Sequence, residues 1–115
     1  MVEYNQNHER GLDLTLSSLA DPTRRAILAS LRAGERRVTE IAEPFDMSLN
    51  AVSKHVKTLE KAELVIRRKA GREHFLSANP TVLAKTAQWF DAQRAFWAAR
   101  LDTLEDLIKE EINNE

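Results

Sequence analysis

At 115 residues and 13.1 kDa, with 43% hydrophobic and 30% charged residues, the chain has the size and balance of one soluble globular domain, which excludes a disordered tail or a collagen-like repeat. The absence of Cys excludes disulfides, thiolate metal ligation and a cysteine nucleophile. The net charge of -1 hides an uneven distribution, because residues 47–72 carry seven basic groups against two acidic ones, or +5, while residues 77–115 carry four against seven, or -3. The first stretch suits a polyanion, and the second is repelled by one. No apolar run reaches the roughly 20 residues that span a bilayer, and the N-terminus lacks a signal-peptide pattern, so a cytoplasmic protein without a membrane partner is expected.

In chain order, residues 1–11 lack apolar periodicity and are expected to form a flexible tail. Leu12, Leu16 and Leu19, with Leu14 beside them, open a first helix that Asp21-Pro22 stops. Asp21 is a strong N-cap and Pro22 fits the first helical position, so a second helix follows, with Ala26, Ile27, Leu28 and Leu31 as its buried stripe and Gly34 past its end. Thr39 reads as the cap of a third helix that Pro44 keeps short or kinked, and Phe45-Asp46-Met47 as a turn. Ser48 caps a fourth helix, 48–62, in which Val52, Val56 and Leu59 share the inward face. Asn50, Ser53, Lys54, Lys57 and Lys61 point away from that face, with Glu60 to the side.

The next segment, 65–76, is rich in branched and aromatic residues around Arg67, Arg68, Lys69, Gly71 and Arg72, which predicts a two-stranded hairpin with a basic tip. From Thr81 to Glu111 no Gly or Pro interrupts a helical pattern that would extend about 46 Å. Leu83, Ala87, Phe90, Trp97, Leu101, Leu104 and Ile108 recur at steps of three and four, with Arg94 as a break, and Trp89, Phe96 and Leu107 widen the stripe. A monomer of this size cannot cover so much apolar surface.

These elements compose a mainly α fold with a small β-hairpin: a winged helix-turn-helix over 12–78, followed within the same domain by a long C-terminal dimerisation helix over 79–115. Such a unit places a helix in the major groove of double-stranded DNA and lets the hairpin reach the flanking backbone or minor groove. Ser48 and the free N–H groups behind it favour a phosphate, and Asn50 and Ser53 suit base edges. Lys54 and Lys57 reach either a base or a phosphate. Arg67, Arg68, Lys69 and Arg72 neutralise phosphates or enter a narrow minor groove.

The runs LADPTRRAIL (19–28), MSLNAVSKHVKTL (47–59) and ELV (63–65) resemble the ArsR/SmtB family of bacterial transcriptional repressors. The resemblance covers about residues 12–77. It implies a homodimer joined through its first and last helices, Leu12–Leu19 and Leu83–Ile108, with two recognition helices on a pseudo-palindromic operator, and repression by blocking polymerase. Many members of that family sense metals through thiols before the recognition helix, where this chain has VTEIAEPF (38–45), or through Asp and His pairs near the C-terminus, where it has no His beyond His74. Neither a metal nor another cofactor is therefore expected. Asp46 stands where the family commonly has Gly in the turn, and Asp tolerates left-handed geometry.

Other residues have plainer readings. His55 on the flank of the fourth helix reads as a packing or backbone-bonded histidine, His74 as a strand residue, and Trp89 and Trp97 as interface core rather than an effector pocket. Arg24 and Arg25 open the second helix, an unfavourable place for cations, which leaves a phosphate contact open. No Gly-rich phosphate loop or paired nucleophile and base supports an enzyme. The competing function is a winged-helix interaction module that recruits a protein through its aromatic C-terminal helix. The +5 stretch argues against it.

Overall fold

The computed structural model describes residues 6–114, the first four through their backbone alone. In chain order they form α1 (Gln6–Ser18), α2 (Pro22–Ser30), β1 (Arg36–Arg37), α3 (Val38–Ala42), α4 (Leu49–Lys61), β2 (Val65–Ala70), β3 (Glu73–Ala78) and α5 (Pro80–Asn113). This is the winged helix-turn-helix with a long last helix. Contacts divide the chain into one unit through Leu83 and another from Ala84 onward, so the boundary falls inside α5 rather than at residue 79. The expected tail over 1–11 is corrected from Gln6 on, where the backbone is already helical. That first turn is polar and carries no stripe to announce it. Residues 1–5 lie outside the described part.

α1 turns small polar residues inward and leaves two of its leucines outside. Thr15 and Ser18 are buried against α4, whereas Leu14 and Leu16 are exposed. Small side chains let the two helices approach, and both hydroxyls find acceptors: Thr15 Oγ1 donates to the Gly11 carbonyl at 3.0 Å and Ser18 Oγ to that of Thr58 at 3.5 Å.

α2 begins as its residues dictate. The Asp21 carboxylate accepts from the Arg24 N–H at 3.1 Å with Pro22 next to the cap, and this hydrogen bond holds the Asp21 carboxyl below its ordinary value. Ile27 and Leu31 are buried and Leu28 half-buried, but Ala26 is exposed. α3 is capped by Arg37 without a side-chain bond, not by Thr39, because β1 runs straight into the helix and Val38 is needed in the core.

The sheet has three antiparallel strands in the order β1-β3-β2, one more than the expected hairpin. β1 is only Arg36 and Arg37, paired with Leu76 and Phe75; two arginines carry no alternation that would mark a strand. β2 and β3 are joined by Gly71-Arg72, in which Gly71 alone has positive φ (64°), the pattern of a type II′ turn. Ile27, Ile41, Val52, Val56, Leu59, Leu64 and Leu76 meet in the core beneath α4 and the sheet. No helix among the described residues is long and apolar enough to cross a membrane.

Candidate nucleic-acid interface

α4 is fixed from behind on four sides, by α1, α2, α3 and β2. Val52, Val56 and Leu59 are fully buried, so the rotation of the helix about its axis is set by its apolar face. Ser48 caps it by accepting from the Ala51 N–H at 3.1 Å. Ser48, Asn50, Lys54, Lys57 and Lys61 are exposed and Ser53 is half-buried on the adjoining flank. None of the three lysines makes an ion pair among the described residues. The result is a cationic outer face with unneutralised charge on an anchored helix.

The four wing cations separate into two kinds. Arg67 turns back toward α4: its Nη2 donates to Glu60 Oε1 at 2.6 Å, its Nε spans both Glu60 oxygens at 3.2 Å, and its Nη1 lies 2.8 Å from His74 Nδ1. Arg68 makes two hydrogen bonds to Glu35, at 2.7 and 3.0 Å, and its guanidinium lies 4.5 Å from the Phe75 ring centroid. The Arg68 hydrogen bond lowers the Glu35 carboxyl pKa and raises that of Arg68. Lys69 and Arg72 are exposed and make no ion pair among the described residues. The free positive charge of the wing thus lies at its tip.

Residues 19–68 match a helix-turn-helix domain family. The chain is 38% identical to the HTH-type transcriptional regulator Rv2034 of Mycobacterium tuberculosis over 102 residues, 89% of this chain and 92% of that one. The family follows from that coverage together with a solved structure, an ArsR family transcriptional regulator that superposes with a TM-score of 0.70 at 33% identity over 85% of this chain and 97% of that one. The chain belongs to the ArsR/SmtB family. It is a DNA-binding transcriptional regulator, a class that performs no catalysis. It is also 36% identical to the transcriptional repressor SdpR of Bacillus subtilis over 72 residues, 63% of this chain and 80% of that one.

In this ArsR/SmtB regulator, Arg24 and Arg25 serve the fold. Arg24 Nε donates to the Ser18 carbonyl at 2.6 Å and its Nη2 to that of Ser17 at 3.4 Å, while Arg25 Nη1 donates to the Leu19 carbonyl at 2.8 Å. They bond the carbonyls at the end of α1, where cations are favourable. Arg24 Nη1 also lies 3.3 Å from His55 Nδ1, so His55 bonds a side chain rather than the backbone and links α4 to α2.

Sequence reasoning missed the floor beside α4. A groove of about 420 Å³ is lined by Arg37, Thr39, Leu49, Ser53, Arg72 and His74, among others. Arg37 reached it because β1 pairs with β3 beside the wing, which no local pattern announced. Leu49 stands directly after the cap at the three- and seven-residue spacing that leads to Val52 and Val56, so periodicity assigns it to the inward face and only its 50% exposure sets it apart. Among the described residues no three His, Asp or Glu gather as a metal site would require.

Proposed function

We propose that the protein is a homodimeric repressor whose two α4 helices enter successive major grooves of a pseudo-palindromic operator. Ser48 meets a phosphate at the helix N-terminus, Asn50 and Ser53 address base edges, and Lys54 and Lys57 meet bases or phosphates along the groove wall. Lys69 and Arg72 reach the flanking backbone or minor groove, Arg68 joins them by exchanging Glu35 for a phosphate, and Arg67 holds the wing against α4. The observation that carries this reading is that Lys54 and Lys57 are exposed, with no ion pair among the described residues, on a helix whose Val52, Val56 and Leu59 are fully buried on the other side.

Dimerisation is supported by the apolar side chains that α5 and α1 leave exposed, among them Trp97, Leu101, Leu104, Leu14 and Leu16. Repression is carried over from likeness to SdpR, which bears that name. Two-fold symmetry sets half-site centres about 10 bp, or a multiple of it, apart.

The test is selection of duplexes from a randomised pool, followed by footprinting and titration between 50 and 200 mM salt. A two-fold footprint and an affinity that falls by orders of magnitude over that range are expected. Lys54→Ala with Lys57→Ala abolishes operator binding while sedimentation still reports the dimer. Retained binding would mean that another element occupies the groove.

A further inference from the structure

Leu49 is the first residue of α4 and is 50% exposed, although the core that takes Val52 and Val56 lies behind the same helix. Most of its neighbours are polar: Ser48, Asn50 and Ser53 on its own turn, and Thr39, Arg37, Arg72 and Glu73 across the groove it lines, with Val38 as the one other apolar side chain there. Met47, just before the cap, is 37% exposed. Water gives a leucine side chain nothing, and half of this one is left to water. In a helix docked in the major groove, the N-terminal residues are those that meet base edges. The major groove presents one apolar projection, the C5-methyl of thymine.

We propose that Leu49 reads the C5-methyl of a thymine in each operator half-site. The inference rests on the DNA reading above and deepens it by naming a base. Asn50 follows Leu49 by about 1.5 Å of helix rise and projects about 100° away from it, so the two side chains of this first turn address neighbouring bases rather than one. Asn50 hydrogen-bonds an adenine while Leu49 packs on a thymine methyl, and the first turn of α4 specifies A·T pairs. Arg72 holds a phosphate of the strand beside the groove, Arg37 joins it by giving up its ion pairs with Glu40 and Glu73, and together they keep Leu49 close to the base edge.

The test removes the methyl and nothing else. In the duplex selected from the randomised pool, each symmetric pair of thymines is replaced in turn by deoxyuridine, and the affinity of the wild-type protein is measured at fixed salt. One pair loses about fourfold per half-site, the worth of one buried carbon group, and Leu49→Ala binds the thymine and deoxyuridine forms equally. Equal wild-type affinity for both forms at every position overturns the proposal, as does a methyl effect that persists in Leu49→Ala. A wild-type arm without a methyl effect overturns the proposal whatever the variant does to folding, and a methyl effect is assigned to Leu49 by its loss in the variant. Failure to enrich any duplex overturns the DNA reading and this inference together, whereas an enriched duplex indifferent to its methyls overturns this inference only.

Discussion

α4 and α5 are both amphipathic, and they use their apolar faces in opposite ways. In α4 the apolar face is consumed within the chain, with Val52, Val56 and Leu59 at 0% exposure. What remains for a partner is the polar side. α5 has 34 residues and not one of them is buried; Trp97 is 59% exposed and Leu101 62%. Here the apolar side is what the helix offers. Two matched truncations sharpen the contrast. Leu59→Ala removes a core side chain and lowers stability by about 2 to 5 kcal/mol in urea unfolding. Leu104→Ala deletes the same atoms from α5 and acts on association, so its cost is read as weaker dimerisation by sedimentation and grows on dilution. If Leu104→Ala destabilised the chain as much as Leu59→Ala at every concentration, the comparison would break.

The same contrast explains what was legible in the sequence. α4 could be read because one short segment holds its cap, its stripe and its cationic side, and all three are local signals. The wing could be read as a hairpin, but not its third strand, because β1 exists only through pairing with β3 far along the chain. The inward face of α1 was not legible, because Thr15 and Ser18 carry no hydrophobic signal and the structure selects small side chains where α4 approaches. The wing arginines looked alike in sequence. Only tertiary contact separates Arg67, bound to Glu60 seven residues earlier, from Arg72 at the tip. Leu49 passed unnoticed because an apolar residue in a helix is read as core by default.

The Arg68–Glu35 pair provides a second, smaller way to probe the division between engaged and free cations. Both side chains are substantially exposed, at 55% and 35%, so the pair contributes little to stability. Its effect falls on binding. Glu35→Gln frees Arg68 before binding, so affinity rises while the slope of log affinity against log salt stays the same, because Arg68 meets its phosphate in both proteins. A slope steeper by about 0.9 per half-site would show that Arg68 stays with Glu35 in the wild-type complex.

Acid offers a gentler probe of the same carboxylates. Glu35 and Asp21 both have lowered pKa values in the fold, from the Arg68 hydrogen bond and the Arg24 N–H respectively. Their stabilisation is therefore complete above the ordinary carboxylate range, about pH 4, and is lost as the pH falls through the lowered values. The thermal midpoint of Asp21→Asn combined with Glu35→Gln should fall less than that of the wild type between pH 5 and pH 3. A parallel fall in both proteins would place the acid sensitivity elsewhere.

The smallest effect concerns how α4 ends. Glu63 has φ of 59°, the sole non-glycine positive value among the described residues, whereas Asp46, the sequence candidate for left-handed geometry, does not adopt it. The Leu64 N–H bonds the Leu59 carbonyl at 3.0 Å and the Glu63 N–H that of Glu60 at 2.9 Å, the two hydrogen bonds of a Schellman motif, and Leu59 and Leu64 are both buried. The motif asks for glycine at position 63, and a side chain there costs about 1 to 2 kcal/mol of left-handed strain. Glu63→Gly relieves that strain but frees the unfolded chain by about 0.4 to 1 kcal/mol. The net expectation is a gain of up to about 1.6 kcal/mol in urea unfolding, without a change in the fold. Glu63→Val moves the other way, because a branched Cβ worsens the same geometry. Opposite signs for the two variants would show that backbone strain, rather than the charge both remove, governs the turn that carries the chain from the recognition helix into the wing.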